Sequence, residues 1–426
     1  MGNIISVVMA AGKGTRMKTN KSKVVHKIYG RELVNRVIDT AEKVGSDEII
    51  CVVGHQKESV MDAIGNRAKF AIQEDLLGTG HALMQAVPYL EGKRGKVLIL
   101  YGDVPLIREE TLRSLIKRSE DNSEYATIIT AMYDNPTGYG RIIRDVDGRV
   151  VEIVEEKDAT EEQRKIKEIN SGIYCFDIEE LLKAIKEIKP NNAQGEYYLT
   201  DVIKIMSEKG LKTGALIVED NTEILGVNDR IQLELLTRVL RMRINMEHMR
   251  EGVTIEDSNC TYIYDNVKIG KDTVIHPNTT IKSGVVIGEN CEIGPNAYIR
   301  EGCVLDDNVK IGSFVEIKKT KVGKGSKVPH LSYMGDCEIG ENVNIGCGTI
   351  TCNYDGAEKH KTKIGDDSFI GSNVNLVAPV NIGKNVVIAA GSTITEDVPS
   401  NALSIARERQ INKEDWSLTH KKTKKK

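Results

Sequence analysis

The sequence predicts two folds in one chain, an α/β doubly wound domain followed by a parallel β-helix of hexapeptide repeats. Three observations carry this. Aliphatic residues recur every sixth position from Ile263 through Ile269, Ile275 and onward to Ile317. The beat loses phase between Ile317 and Ile339 and returns from Ile364 to Ile394. Ahead of it, short apolar runs alternate with amphipathic stretches, the pattern of βαβ units. Between the two halves, Ile231, Leu233, Leu235, Leu236, Val239, Leu240 and Met242 fall at near-helical spacing.

Taken in order, Ile4 to Met9 reads as a buried parallel strand, being apolar almost throughout. A Gly-rich turn follows, then a helix. Glu48 to Val53 and Lys96 to Tyr101 read as further strands, with Glu32 to Val44 and Gly80 to Leu90 as the helices between them. Residues 229–250 read as one linker helix. In the repeats, three hexapeptides close one triangular coil, whose core forms only against the coils above and below. Glycine often follows the aliphatic position, at Gly270, Gly288, Gly294, Gly312, Gly365, Gly371 and Gly383, and is expected to turn the chain at a corner. This reading sets a first domain at 1–228, the linker helix at 229–250, the β-helix at 251–410 and a basic tail at 411–426.

The chain has 426 residues, long enough for two or three domains, and its formal net charge is −3. That balance gives no push toward nucleic acid or membrane. The exception is the terminal run Lys421, Lys422, Lys424, Lys425 and Lys426, expected to be a solvated tail. The eight cysteines show no C-x-x-C pair, and several stand within the repeats, where Cys acts as a small apolar filler. Met1 to Ile5 run straight into the first strand, and no apolar run reaches membrane-spanning length. Myristoylation at Gly2 is not expected, and the sequence predicts a cytoplasmic protein.

The turn Ala10-Ala11-Gly12-Lys13-Gly14-Thr15-Arg16-Met17 joins two glycines to two cations, a combination suited to a triphosphate beside a helix N-terminus. It is neither a Walker P-loop nor a full G-x-G-x-x-G. A plain tight turn is the other reading. Asp103 ends the strand Val97 to Gly102, where open α/β sheets bind ligands, and a carboxylate there suits Mg²⁺. A helix cap or turn residue is the alternative. In the repeats the beat fails around Lys327-Val328-Pro329-His330-Leu331-Ser332-Tyr333 and again through Asn353-Tyr354-Asp355-Gly356 to Lys363. Loops inserted in a solenoid often form binding sites. His330 alone would read as a satisfied histidine. Arg300, Lys318 and Lys359 change that, since stacked coils would bring them onto one phosphate.

The loop at Ala10–Met17, with Lys23-Val24-Val25-His26, Leu77-Gly78-Thr79-Gly80 and Tyr101-Gly102-Asp103-Val104-Pro105, resembles the sugar-phosphate nucleotidyltransferases. Gly138-Tyr139-Gly140-Arg141, Val154 to Lys157, Glu168 to Gly172 and Gly226-Val227-Asn228 narrow the match. With the repeats added, nearly the whole chain is similar to the bifunctional enzymes that join an N-acetylglucosamine-1-phosphate uridyltransferase to a glucosamine-1-phosphate acetyltransferase on a left-handed β-helix. The resemblance implies UDP-N-acetylglucosamine, a precursor of peptidoglycan, as product, with Mg²⁺ required and acetyl-CoA as co-substrate. It implies that Met9, Ala10, Ala11, Gly12, Lys13, Gly14, Arg16 and Lys23 hold the UTP phosphates, with Arg16 and Lys23 catalytic. Gln73, Gly78 and Thr79 would hold the uracil, and Tyr101 and Gly102 would line the nucleotide-sugar site. Gly140, Glu155 and Asn170 would hold N-acetylglucosamine, and Asp103 and Asn228 the metal. Arg300, Lys318, Tyr333, Asn344 and Lys359 would bind glucosamine-1-phosphate. His330 would be the general base, and Cys347, Asn353, Tyr354, Ser372, Ala390 and Arg407 the acetyl-CoA contacts. A homotrimer with sites between adjacent solenoids is implied too.

Four departures from the family pattern stand out. Ser22 replaces a usual Pro, which predicts a less rigid loop. The solenoid before Arg300 is shorter by one to two coils. Pro329 precedes His330 and restricts Val328. Glu301 puts a negative charge beside Arg300. The second reading is a uridylyltransferase whose shortened β-helix serves only as a trimerising scaffold. A non-catalytic binding protein, or a transferase for another sugar or base, fits the residues less well.

Overall fold

The structure, a computed structural model, describes residues 3–420; Met1, Gly2 and the lysine run at 421–426 lie outside the described residues. The chain divides into two compact units between Leu240 and Arg241. No helix among the described residues is long and apolar enough to cross a membrane.

The first unit is built on a mixed sheet. In spatial order its strands are Thr213–Ile217, Ala126–Met132, Glu168–Asp177, Lys96–Tyr101, Ile4–Ala10, Glu48–Val53 and Lys69–Ile72. Glu168–Asp177 runs antiparallel to both its neighbours, and the other pairs along this path are parallel. Ile4–Ala10 is buried along its whole length, which is why it is apolar without alternation. Helix Leu33–Lys43 covers one face through Leu33, Val34, Val37, Ile38 and Ala41, a stripe at helical spacing.

Two expectations need correction here. The helix placed after the Gly-rich turn is only a 3₁₀ turn at Thr15–Met17, and the first α-helix starts at Leu33. The segment has a left-handed residue at each end, Gly14 and Lys18, so no helix propagates. The single helix expected at Gly80 to Leu90 is two short ones, Thr79–Met84 and Val87–Leu90, with Pro88 at the start of the second.

The linker helix runs Arg230–Arg250. Beyond it, a left-handed parallel β-helix of short strands forms three flat faces of nine, eight and seven strands among the described residues. The first face runs from Thr254–Ile255 to Leu403–Ser404, the second from Tyr262–Ile263 to Thr393–Ile394, and the third from Lys268–Ile269 to Val380–Ile382. Each strand pairs in parallel with the strand one coil on, and the aliphatic beat points inward as one continuous core.

The register accounts for the lost phase. Val274 pairs with Glu292, 18 residues on, whereas Lys310 pairs with Lys327, 17 on, and Glu338 with Lys363, 25 on. The short coils come from five-residue steps between buried Ile317 and Val322, and between Met334 and Ile339. The long coil holds the excursion through Tyr354 and Lys359. All three irregularities fall at one corner, between the second and third faces.

The glycines do not turn the corners. Of the seven after the aliphatic position, only Gly294 has a left-handed backbone. Asn and Asp do that work, at Asn266, Asp272, Asn278, Asn290, Asn308, Asn373 and Asn385 among others. The glycines are there because the next coil lies on them. A Cβ on Gly270 would stand 2.6 Å from the Gly288 carbonyl carbon, and on Gly312 1.9 Å from the Pro329 oxygen. Gly312→Ala should therefore push two coils apart and lower stability by about 1–3 kcal/mol, read as a lower urea midpoint for the β-helix transition.

Candidate functional site

In the first unit, the carboxyl ends of three parallel strands, Ile4–Ala10, Lys69–Ile72 and Lys96–Tyr101, meet at a cavity of about 340 Å³. Met9, Ala10, Ala11 and Gly12 line it, with Lys23, Gln73, Gly78, Thr79, Tyr101 and Asp103. Each of these ten was predicted from the sequence. Gly14, at φ 58, packs so closely on the Lys23 segment that a Cβ there would lie 2.7 Å from Lys23 Cβ. The side chains of Lys13 and Arg16, predicted for the same site, are exposed and do not line the cavity, and neither has an ion-pair partner among the described residues.

Lys23 draws distant parts of the chain together. Its ammonium donates to Asp103 Oδ2 at 2.5 Å and to Asn228 Oδ1 at 3.0 Å. The Asp103 carbonyl accepts from Val227 N–H at 2.8 Å, so the segment carrying Asn228 is held against the strand that carries Asp103. Ser22 keeps φ at −54°, the value a proline would take, so the loop keeps the proline geometry.

The three residues predicted for the sugar are also neighbours. A Cβ on Gly140 would stand 3.5 Å from both Asn170 Cβ and Glu155 Oε2. Asn170 Nδ2 donates to Tyr174 Oη at 2.8 Å, and its Oδ1 accepts from Gly172 N–H. Thr200 Oγ1 donates to Glu155 at 3.2 Å. Burial pushes the Glu155 carboxyl above its ordinary range. Burial likewise pushes the Tyr101 phenol up, with Glu155 and then Asp103 adding to it. Tyr101 thus stands within electrostatic reach of both the sugar group and the Asp103 group.

In the second unit, position on the ladder decides which predicted residues meet. Arg300 and Lys318 follow the paired residues Ile299 and Ile317 on adjacent strands of the second face. Lys318 then pairs opposite Gly335, whose missing side chain leaves room for the Tyr333 hydroxyl. Arg300 donates to Glu316 Oε1 at 2.9 Å, and its Nε is buried without a partner. Lys359 holds the Lys318 amine below its ordinary range, with burial and Arg300 adding. Three cations crowded this way, the crowding relieved in part by Glu316 on Arg300 and by Asp336, form a cluster suited to an anion. Asn353 belongs to this corner, donating to Asp336 Oδ2 at 2.6 Å, and Tyr354 pairs with Lys359 in the excursion.

His330 belongs to the neighbouring corner. It ends strand Lys327–His330 of the first face, opposite Ser313. Pro329 stands within that strand over Gly312, so the strand stays regular and His330 is exposed. Three residues on from the paired positions Lys327, Asn344, Phe369 and Val387 stand His330, Cys347, Ser372 and Ala390. Four predicted residues therefore climb one corner, a coil at a time. A Cβ on Gly391 would stand 3.6 Å from Arg407 Cδ, which puts Arg407 at the upper end of the series.

One chain therefore holds two separate groups. Asn344, on the first face, does not join Arg300, Lys318, Tyr333 and Lys359. Asn353 and Tyr354 do not join Cys347, Ser372, Ala390 and Arg407. Glu301 is exposed and forms no ion pair among the described residues. All eight cysteines are free, and burial pushes the Cys51 and Cys175 thiols up to about 12, so those two are poor nucleophiles.

Sequence reading missed Glu196, which lines the first cavity, as well as Thr200 on Glu155 and His81 behind Gln73. A hint was present in Gly78 and Gly80. Both lack a Cβ because Tyr197 O sits where it would be, 2.5 and 2.9 Å away. Those two glycines mark a crowded spot in the sequence without saying which segment crowds it.

A nucleotidyl transferase family model matches residues 5–228. A bacterial transferase hexapeptide model (six repeats) matches 284–319 and 361–396, and a model of the hexapeptide repeat of succinyl-transferase matches 262–301. The bifunctional protein GlmU of Acetivibrio thermocellus is 50% identical over 448 residues, covering 97% of each chain. That of Caldanaerobacter subterraneus subsp. tengcongensis is 52% identical over 449 residues, covering 98% of each. This chain belongs to the GlmU family. It is a bifunctional enzyme, both a nucleotidyltransferase and an acetyltransferase. The reading in which the repeats are only a scaffold is not favoured, because the likeness to GlmU proteins covers both halves. The alignments run over more positions than the 426 residues of this chain, so the relatives carry residues that it lacks.

Glu155 gives a stability test. Its pKa is raised on folding, so the fold favours the protonated form. Stability from this group is present below the unfolded value of 4.5 and is lost as pH rises through the folded value. Glu155→Gln should then be more stable than the parent at neutral pH, with the gain vanishing in acid, as read by denaturant unfolding across pH.

Proposed function

We propose that residues 1–228 carry uridylyl transfer and residues 251–410 carry acetyl transfer, with the helix 229–250 between them. The enzyme acetylates glucosamine-1-phosphate from acetyl-CoA and then transfers UMP from UTP to the N-acetylated product. UDP-N-acetylglucosamine and pyrophosphate leave. The observation that carries the first assignment is the meeting of Lys23, Asp103 and Asn228 beside the Gly-rich loop.

In uridylyl transfer, a phosphate oxygen of N-acetylglucosamine-1-phosphate attacks the α-phosphorus of UTP in line with the departing pyrophosphate. The step needs alignment and charge neutralisation more than covalent help. Met9 to Gly14 present backbone amides to the phosphates, and Lys13, Arg16 and Lys23 offset their charge. Gln73, Gly78 and Thr79 hold the uracil, and Tyr101 and Gly102 form the floor between nucleotide and sugar. Gly140, Glu155 and Asn170 hold the sugar. Asp103 and Asn228 suit Mg²⁺, since one oxygen of each already faces a single positive charge. When bound, Mg²⁺ supplies charge neutralisation on the phosphates.

In acetyl transfer, the amine of glucosamine-1-phosphate attacks the thioester carbonyl. His330 accepts the amine proton, and CoA leaves as its thiol. Cys347, Ser372, Ala390 and Arg407 form a track along the corner above His330, suited to a long acyl donor. Arg300, Lys318, Tyr333 and Lys359 bind the sugar phosphate. Because these two groups lie at different corners of one chain, the complete site is built from adjacent copies. Asn344, Asn353 and Tyr354 then join their partners across the interface. A homotrimer is the proposed assembly. The cytoplasm is the proposed compartment, a reading that the free cysteines support.

Asp103→Asn should lower uridylyl transfer by roughly 10²-fold or more and spare acetyl transfer. His330→Ala should do the reverse, by roughly 10²–10⁴-fold. Mass spectrometry of each partial reaction separates the two, and uridylyl transfer at the parental rate in Asp103→Asn would remove the metal assignment.

The shared site has its own test. His330→Ala and a Lys318→Ala/Lys359→Ala double variant should each be inactive in acetyl transfer. Refolded together, they should regain about a quarter of parental activity, because intact halves then meet across some interfaces. A mixture as inactive as its components would mean that each site lies within one chain.

A further inference from the structure

Gln73 follows the strand Lys69–Ile72 and is 3% exposed, yet it borders the first cavity. Its Nε2 lies 3.2 Å from the Gly78 carbonyl oxygen and 3.0 Å from His81 Nδ1. A carbonyl only accepts, so the amide must turn its amino group toward Gly78. The second amino hydrogen then points at His81 Nδ1, which takes it as the unprotonated ring nitrogen. Both hydrogens are spent inside the protein. What remains is Oε1, which has no partner among the described residues and is not sealed off as a buried orphan.

The other side of the ring offers a second amino group, which competes with Gln73 for the unprotonated nitrogen. Gln85 Nε2 donates to the His81 carbonyl at 3.1 Å and lies 3.3 Å from His81 Nε2. A neutral imidazole accepts at one nitrogen only. The shorter contact assigns that nitrogen as Nδ1, leaving N–H at Nε2 and no bond to Gln85 there. With the ring in this tautomer, turning the Gln73 amide over would set Oε1 against two lone pairs, those of the Gly78 oxygen and His81 Nδ1.

We propose that His81 is a positioning residue for base selection: it locks the Gln73 amide so that only an acceptor faces the nucleobase. Uracil carries a donor, N3–H, to meet that acceptor. Cytosine presents a bare N3 lone pair, which Oε1 repels. Selection arises because a pyrimidine without the donor leaves a buried acceptor unpaired. His81 itself does not line the cavity and acts through Gln73. The inference rests on the reading that this cavity takes UTP.

The test is kcat/KM for UTP and for CTP with N-acetylglucosamine-1-phosphate and Mg²⁺, in the parent and in His81→Ala, His81→Asn and His81→Gln. Acetyl transfer by the same preparations is the folding control. His81→Ala should lose the UTP-over-CTP preference by roughly tenfold or more. Asn places Oδ1 about where Nδ1 stands and should keep the preference, whereas Gln reaches the wrong position and should behave as Ala does. If His81→Ala lowers both nucleotides equally and keeps the parental ratio, the residue is merely structural and the proposal falls. A parent enzyme that does not prefer UTP to CTP would instead remove the nucleotide reading on which it rests.

Discussion

Each coil of the β-helix hydrogen-bonds to the coils beside it, so a residue's place on the ladder determines its neighbours. Nearly everything in the second unit follows from that constraint. The aliphatic beat is the inward side of the ladder. The glycines beside it are small because the neighbouring backbone is stacked on them. A step of five residues in place of six leaves the core unbroken but shifts every later residue relative to the count along the chain. Two such steps and one inserted loop fall at the same corner, and that corner gathers Lys318 and Lys359. Irregularity is thus confined to one place on the prism, where it gathers like charges that Asp336 relieves only in part.

The first unit solves a similar problem with a different scaffold. Parallel strands bring their carboxyl ends to one edge, and the chain leaves each strand there in a loop. Residues as far apart as Lys23, Asp103 and Asn228 meet at that edge. Removing Lys23 would leave two oxygen donors facing each other with no cation between them. The cost of gathering such groups is visible in Glu155 and Tyr101, both made harder to ionise by burial. Strain of this kind is expected where a fold holds polar groups ready for a ligand.

Much of this was legible in the sequence because periodicity reports what backbone geometry requires. Ile263 to Ile317 announced the coils, and the unbroken apolar run at Ile4–Met9 announced a strand buried on both sides. The ten predicted residues around the first cavity were legible through short motifs and, for Met9 and Gln73, through the family resemblance that those motifs carry. What escaped had a different origin. Glycine after the aliphatic position was read as a corner residue, but the turn is made by Asn and Asp, and one letter cannot tell conformational freedom from lack of room. The helix after the Gly-rich turn failed because Gly14 and Lys18, both left-handed, bracket the segment. His81 was invisible because its neighbour is Gln73, eight residues away across a loop, and neither is marked by composition or period.

Given the proposed acetyl-transfer roles, their division between two corners shows why such roles cannot be read from a single copy. A solenoid repeats along its axis and does not fold back on itself. Residues on one corner can line up coil after coil, as His330, Cys347, Ser372 and Ala390 do. Residues on two corners of one prism point apart, and no lengthening of the chain brings them together. On the proposed roles, chemistry that needs a base, an acyl-donor track and a phosphate clamp at one point would borrow a corner from another prism. On the proposed arrangement, the flat faces supply that closeness: two prisms laid side by side bring unlike corners into register at the same height. Loss of coils ahead of Arg300 would then leave the site intact, because every residue it uses lies at or beyond that coil.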